Sequence, residues 1–236
     1  MTTGTLWLIP TPLGGEEAAA VIPAAVIERI RRLDYFVAEE PKSARAFLKS
    51  VAHPRPLSSL RIEKLDHNSA AEGLPLLLGP VLEGSDAGLV SEAGCPALAD
   101  PGANLVRLAH REGVRVVPLS GPSSIVLALM ASGLEGQRFA FHGYLPVRDP
   151  DRGRALRALE RRSLEQRETQ IFIEAPYRNN ALMKAIIDAC SADTLLCVAT
   201  DLTLPAESVA TRAIGAWRSA LPEIDRRPTV FLLLAG

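Results

Sequence analysis

This sequence predicts an α/β fold, and three observations predict it. Short apolar runs rich in β-branched residues alternate with stretches whose apolar residues recur at helical spacing. One run, Val114–Pro118, is apolar toward both faces, as in a parallel sheet covered by helices on both sides. Several runs end in loops of glycine, proline and other small residues, the place where α/β sheets bind ligands.

Taken in order, Thr5–Ile9 reads as a strand. Ile22, Val26, Ile30 and Leu33 recur at helical spacing, and Pro23 suits a first turn, where its missing N–H has no intrahelical acceptor. Asp34–Ala38 reads as a second strand and Ala44–Val51 as a short helix. Ala87–Val90 is a strand running into a Gly/Pro-rich loop. Asn104–Glu112 is a helix stopped by Gly113, and Val114–Pro118 follows it as a strand. Ser123–Ser132 is a helix. Arg138–His142 and Thr169–Glu174 are strands around an arginine-rich helix. Tyr177–Cys190 is a helix, and Leu195–Thr200, Ser208–Arg212 and Thr229–Leu234 are late strands. The second half carries more strands per helix, which predicts a mixed sheet. A boundary near Pro118–Pro122 therefore divides the chain into an N-terminal α/β domain, 1–118, and a C-terminal α/β domain with a mixed sheet, 119–236.

The 236 residues are 47% hydrophobic, enough apolar material for one large domain or two small ones. Twenty-six basic and 27 acidic residues leave a net charge of −1, unlike a chain that grips nucleic acid over its whole surface. Cys95, Cys190 and Cys197 lack the spacing of a metal site, and an odd, sparse set argues against a disulfide framework. A reducing cytoplasm is the expected compartment. The apolar run after Met1 is too short for a signal peptide and has no charged residues before it. No stretch reaches the ~18 apolar residues of a membrane span. The richest apolar run, Ser124–Ala131, predicts a buried helix.

Four loops share small residues and prolines at a strand end. They are Pro10-Thr-Pro-Leu-Gly-Gly15, Ser91-Glu-Ala-Gly-Cys-Pro96 with its continuation to Asp100-Pro-Gly102, Ser120-Gly-Pro-Ser-Ser124, and Glu174-Ala-Pro-Tyr-Arg178. A single loop of this kind is a plain turn. Four at successive strand ends point to a ligand approached closely by backbone. The phosphate cradles G-x-x-x-x-G-K-[ST] and G-x-G-x-x-G are absent, as are H-E-x-x-H and G-x-S-x-G. His53 and His110 read as surface residues, His67 lies in a polar loop, and His142 ends a strand.

These loops carry a resemblance. Ile9-Pro-Thr-Pro-Leu-Gly14 resembles A-T-P-I-G-N-L, and Ala38-Glu-Glu-Pro-Lys-Ser-Ala-Arg45 resembles A-E-D-T-R-x-T-R. Val90-Ser-Glu-Ala-Gly-Cys-Pro-Ala-Leu-Ala-Asp-Pro-Gly102 resembles V-S-D-A-G-T-P-x-I-S-D-P-G. Ser120–Ser124 is similar to P-G-P-S-A, Phe141–Pro146 to F-x-G-F-L-P, and Glu174–Arg178 to E-S-P-H-R. Order and spacing hold from residue 4 to about 209. This is the pattern of the tetrapyrrole (corrin/porphyrin) methylase superfamily, in the branch that includes the small-subunit ribosomal RNA ribose methyltransferase.

The resemblance implies a class III methyltransferase: two α/β domains with a cofactor cleft between them, a homodimer, and S-adenosylmethionine as methyl donor. It assigns the donor to Pro10, to Ser91, Glu92, Ala93, Gly94 and Pro96, to Ser123 and Ser124, and to Ala175 and Pro176. Methyl transfer from a sulfonium is an in-line displacement, so positioning supplies much of the acceleration. A base is needed only where the acceptor must lose a proton. Glu39 and Glu40 occupy the family's acidic pair after the second strand, and could orient an acceptor or serve as that base. Their plainer reading is as capping or surface acids. Cys95, which replaces the family's threonine, reads as a small packing residue, because no cation flanks it to stabilise a thiolate.

The departures bear on the acceptor. Lys42 stands where the family has arginine, so a bidentate fork is lost. His67-Asn68-Ser69 replaces H-N-E. Ala199-Thr-Asp-Leu-Thr-Leu-Pro-Ala-Glu-Ser208 replaces A-R-E-L-T-K-x-H-E-E, removing an arginine, a lysine and a histidine. The ribosomal enzyme continues into an extra C-terminal segment, whereas the last strand here is followed closely by Gly236. Cations supply much of the affinity for RNA, and the basic feature that remains is the helical stripe Arg154, Arg157 and Arg161. Asp149, Asp151, Glu160 and Glu165 are interleaved with it, so it reads either as a solvated helix face or as the RNA contact.

Three functions follow. A ribosomal RNA ribose methyltransferase is favoured by motif order. A methyltransferase on a small molecule fits the neutral charge, although the G-x-G-P-G loop of the corrin and porphyrin enzymes is absent. A donor-binding protein with decayed catalysis would explain the replaced charges between Ala199 and Ser208.

Overall fold

The computed structural model describes residues 2–15, 17–65 and 73–236. His67, Asn68 and Ser69 lie outside the described residues. Contacts divide the chain into two units, Met1–Ser123 and Ser124–Gly236.

The first unit alternates strands and helices: β1 (Thr5–Ile9), α1 (Ala18–Val21), α2 (Ala24–Ile30), β2 (Tyr35–Ala38), α3 (Pro41–Ser50), β3 (Arg61–Lys64), α4 (Leu74–Leu82), β4 (Ala87–Val90), α5 (Ala103–Arg111) and β5 (Arg115–Pro118). The sheet is wholly parallel in the order β3-β2-β4-β1-β5. Strand periodicity divides the core into two layers. Phe36, Ala38, Ile9 and Val90 pack against α1, α2 and α3. Tyr35, Val37, Leu6 and Leu89 pack against α4 and α5. Each layer buries the apolar stripe of its helices, so the sheet is doubly wound.

The connection leaving β1 runs to β2 across β4, and the one leaving β4 runs to β5 across β1. Two adjacent strands thus send their chains in opposite directions. Their carboxyl ends form the switch point where open α/β sheets take ligands.

The second unit comprises α6 (Ser124–Ser132), β6 (Phe139–Tyr144), α7 (Asp151–Gln166), β7 (Thr169–Ile173), α8 (Asn179–Ala189), β8 (Leu195–Thr200), β9 (Ser208–Ala213), α9 (Ile214–Trp217) and β10 (Thr229–Leu234). The sheet order is β6-β7-β10-β8-β9. β6 and β7 are parallel and the other pairs antiparallel, giving a mixed sheet. Leu156, Leu159, Leu182 and Ile186 of α7 and α8 cover one face over Phe172 and Phe231, whose rings stack with centroids 5.9 Å apart.

Several elements differ from the sequence reading. α6 is not buried all round: Val126 and Met130 are exposed, because the helix covers its sheet from one side only. The helix expected from Tyr177 starts at Asn179, since Pro176–Arg178 forms a single 3-10 turn. His53 is half-buried rather than at the surface, with its Nε2 3.0 Å from the carbonyl oxygen of Leu33 and its ring edge-on to Phe36. β6 continues past His142 to Tyr144. β3 and α4 lie outside the elements that the sequence pattern predicts.

Candidate functional site

At the switch point the loops after β1 and β4 are tied together. Thr11 N–H donates to Gly94 O at 2.9 Å and Gly94 N–H to Thr11 O at 3.1 Å, an isolated antiparallel bridge. The Thr11 hydroxyl, buried, lies 3.5 Å from the carbonyls of Ser91 and Gly94. The loop after β5 closes on both. Cys95 Sγ donates to Pro122 O at 3.4 Å. A Cβ built on Gly121 would lie 2.3 Å from Pro10 Cβ and Cγ, so only glycine lets these loops meet. Burial, and secondarily Asp100, raises the Cys95 pKa. The thiol therefore stays protonated at neutral pH and acts as a hydrogen-bond donor within the packing.

The structure thus gathers Pro10, Ser91, Gly94 and Pro96 as buried loop residues, while Glu92 and Ala93 between them are exposed. Ser123 follows Pro122 and is half-buried. Ser124, Ala175 and Pro176 belong to the second unit: Ser124 opens α6, and Ala175 and Pro176 lead into the turn before α8. Thr11 and Gly121 lie within the loops that the sequence marks, but nothing in the sequence singles either out. Their importance comes from contacts between loops distant along the chain.

Glu39 and Glu40 follow β2, beside β4. The Glu40 carboxylate accepts from Lys42 N–H at 3.1 Å, capping α3, and is exposed. Glu39 is half-buried, and its N–H points to Val90 O at 3.4 Å. Ser43 at the start of α3 donates to Glu92 Oε1 at 3.2 Å, linking α3 to the β4 loop. Three acids therefore border loops in which Pro10–Gly15, Ser91–Pro96 and Ser120–Ser123 contribute no lysine or arginine. A cradle without lysine or arginine, edged by carboxylates, suits a cationic ligand such as a sulfonium.

In the second unit, Glu174 is buried at the end of β7. Its Oε1 accepts from Ala175 N–H at 2.7 Å and from Arg178 Nε and Nη2 at 2.9 and 2.6 Å. This pair fixes the Ala175–Pro176 turn. Arg226 N–H donates to Pro176 O at 3.1 Å. Buried Asn179 donates to Ile224 O, Arg227 O and Thr229 Oγ1, holding the chain before β10. Within the altered Ala199–Ser208 motif, Asp201 accepts from Arg227 Nε at 2.7 Å, so this acid is committed to an ion pair.

The arginine stripe is largely neutralised on its own helix. Arg154 pairs with Asp151 and Arg161 with Glu165. Arg157 has no acidic partner among the described residues and lines a groove of about 390 Å³ with Arg152 and Lys184. Among the described residues no cluster of His, Cys, Asp and Glu could hold a metal ion, and no helix is long and apolar enough to cross a membrane.

This architecture defines a class III methyltransferase fold. The solved structure of diphthine synthase superposes with a TM-score of 0.69 over 98% of this chain and 90% of that one, at 15% identity. The family model for tetrapyrrole (corrin/porphyrin) methylases matches residues 5–216, and the chain belongs to that family. It is accordingly an S-adenosylmethionine-dependent methyltransferase. Two similar relatives are both named ribosomal RNA small subunit methyltransferase I. The one from Escherichia coli O157:H7 is 31% identical over 95% of this chain and 74% of its own length. The one from Streptococcus pyogenes serotype M3 is 31% identical over 100% of this chain and 77% of its own length.

Proposed function

We propose that the protein transfers the methyl group of S-adenosylmethionine to a ribose 2′-hydroxyl of small-subunit ribosomal RNA. The acceptor rests on the names of the relatives and on motif order. The donor's place rests on one observation: the Thr11–Gly94 bridge and the Pro10–Gly121 contact build an acid-edged cradle, without lysine or arginine, at the switch point of the first sheet. When bound there, the donor supplies an electrophilic methyl carbon and a thioether leaving group. Pro10, Ser91–Gly94, Pro96 and Ser123 hold it in the first unit.

The chain's own work is to orient the ribose and accept its proton. Glu39, the half-buried acid beside β4, is assigned that role, and exposed Glu40 caps α3. Removing a general base costs roughly 10²–10⁴-fold in turnover. Glu39→Gln should therefore lose turnover while keeping donor affinity, and Glu40→Gln should change turnover far less. Unchanged turnover in both would sink the assignment. The acceptor is tested by incubating small-subunit ribosomal RNA with tritium-labelled S-adenosylmethionine and digesting it to nucleosides. Label in a 2′-O-methyl nucleoside is expected. An unlabelled RNA, or label on a base, would overturn the reading.

The protein is also proposed to work in the cytoplasm as a homodimer. Its three cysteines are free thiols, which suits a reducing compartment. The exposed Val126, Met130 and Phe139 supply apolar surface for a second copy.

A further inference from the structure

The first unit's cradle leaves unused a cluster at the carboxyl ends of β6 and β7, the two parallel strands of the second unit. β6 carries an extra residue there. Phe141 pairs with Ile171 and Tyr144 with Ile173, so three steps along β6 match two along β7. Gly143 absorbs the bulge at φ +65°, a conformation that favours glycine. Bulges of this kind re-aim a side chain. The side chain re-aimed is Tyr144, 62% exposed.

On β7's side, Tyr177 is 67% exposed in the turn after Pro176. Its hydroxyl accepts from Arg178 Nη1 at 2.7 Å, and the guanidinium carbon lies 4.9 Å from its ring centroid. Arg178 is in turn locked by buried Glu174. Tyr144 pairs with Ile173, the residue before Glu174, so it stands at the same strand end as this locked pair. The Arg226 N–H is bonded to Pro176 O, and the Arg226 side chain is exposed with no acidic partner among the described residues.

Two large aromatics left in water beside a fixed, planar guanidinium and an unneutralised arginine are not explained by packing. Aromatic and guanidinium planes stack unpaired bases, and a free arginine meets the adjoining phosphate. We infer that Tyr144, Tyr177 and Arg178 form a stacking platform for an unpaired nucleotide of the acceptor RNA, with Arg226 contacting its phosphate. This rests on the RNA-acceptor reading above and extends it to residues that neither the cradle nor the arginine stripe supplies.

The test measures methyl transfer to unmethylated small-subunit ribosomal RNA transcribed in vitro, together with calorimetric donor binding. It compares wild type, Tyr177→Leu, Tyr144→Leu and Tyr177→Phe. Stacking on one aromatic is lost in each leucine variant, so KM for RNA should rise roughly 5- to 150-fold. Donor affinity should stay unchanged, and Tyr177→Phe, which keeps the ring, should keep the wild-type KM. If wild type transfers methyl but both leucine variants hold KM within about twofold, the acceptor reading stands and the platform is overturned. A leucine variant that weakens donor binding instead would assign the ring to the donor, which also overturns it. If wild type itself transfers no methyl to this RNA, the acceptor reading fails and takes the platform with it.

Discussion

Gly121→Ala isolates the contact that closes the cradle. Gly121 is not in the left-handed region, so alanine can adopt its backbone and gains about 0.4–1 kcal/mol by restricting the unfolded chain. The new Cβ, however, would sit 2.3 Å from Pro10 Cβ and Cγ, atoms of a rigid ring with no rotamer to retreat into. Overfilling of this kind costs about 1–3 kcal/mol. The net loss is on the order of 0–2.6 kcal/mol, and at ~4 °C per kcal/mol for a unit of this size Tm falls by up to about 10 °C. Gly15→Ala is the matched control, because nothing lies within 4 Å of a Cβ built there. It should raise Tm slightly through the same entropic gain. Scanning calorimetry of both variants, with donor titration of each, reads the result. Opposite signs in Tm, with donor affinity weakened in Gly121→Ala alone, are expected. Equal shifts, or unchanged donor affinity in Gly121→Ala, would refute the claim that the Pro10–Gly121 contact shapes the donor site.

Glu174→Ala leaves Arg178 and the Ala175 N–H without their acceptor and should cost about 2–4 kcal/mol in urea unfolding, with Glu174→Gln restoring part through Ala175. A loss under about 0.5 kcal/mol would mean the pair is not structural. Burial pushes the Cys190 thiol from 9.0 up to about 12, so the unfolded chain ionises first and stability falls as pH rises from about 9 toward 12. Tyr35, pushed by burial from 10.0 to about 12, adds to the loss above pH 10. Cys190→Ala should flatten urea midpoints between pH 9 and 10, and an unchanged slope there would contradict the burial argument.

Much of the fold was legible because it is written in local pattern. The bounds of Thr5–Ile9, Leu195–Thr200 and Thr229–Leu234 match the structure, since each is a run of apolar residues with clear ends. β3 escaped notice because an edge strand reading Arg-Ile-Glu-Lys carries little apolar signal. α4 was hidden by Pro75, Gly79 and Pro80 within Leu-Pro-Leu-Leu-Leu-Gly-Pro-Val-Leu. The arginine stripe was visible as a face, but its pairing with Asp151 and Glu165 depends on rotamers that spacing does not specify. The loops of the cradle were legible as segments, whereas the Thr11–Gly94 bridge is a contact across 83 positions that no local pattern encodes. The bulge before Tyr144 is likewise a property of register between two strands.

The central claim is that S-adenosylmethionine binds on the loops of the switch point, which carry no lysine or arginine. Calorimetric titration of the purified protein with S-adenosylmethionine, at low and at moderate salt, tests it most directly. The account predicts saturable binding near one site per chain, weakening modestly with salt because exposed carboxylates at the cradle's edge attract the sulfonium. Absence of binding at high ligand concentration, or affinity that collapses with salt, would contradict it.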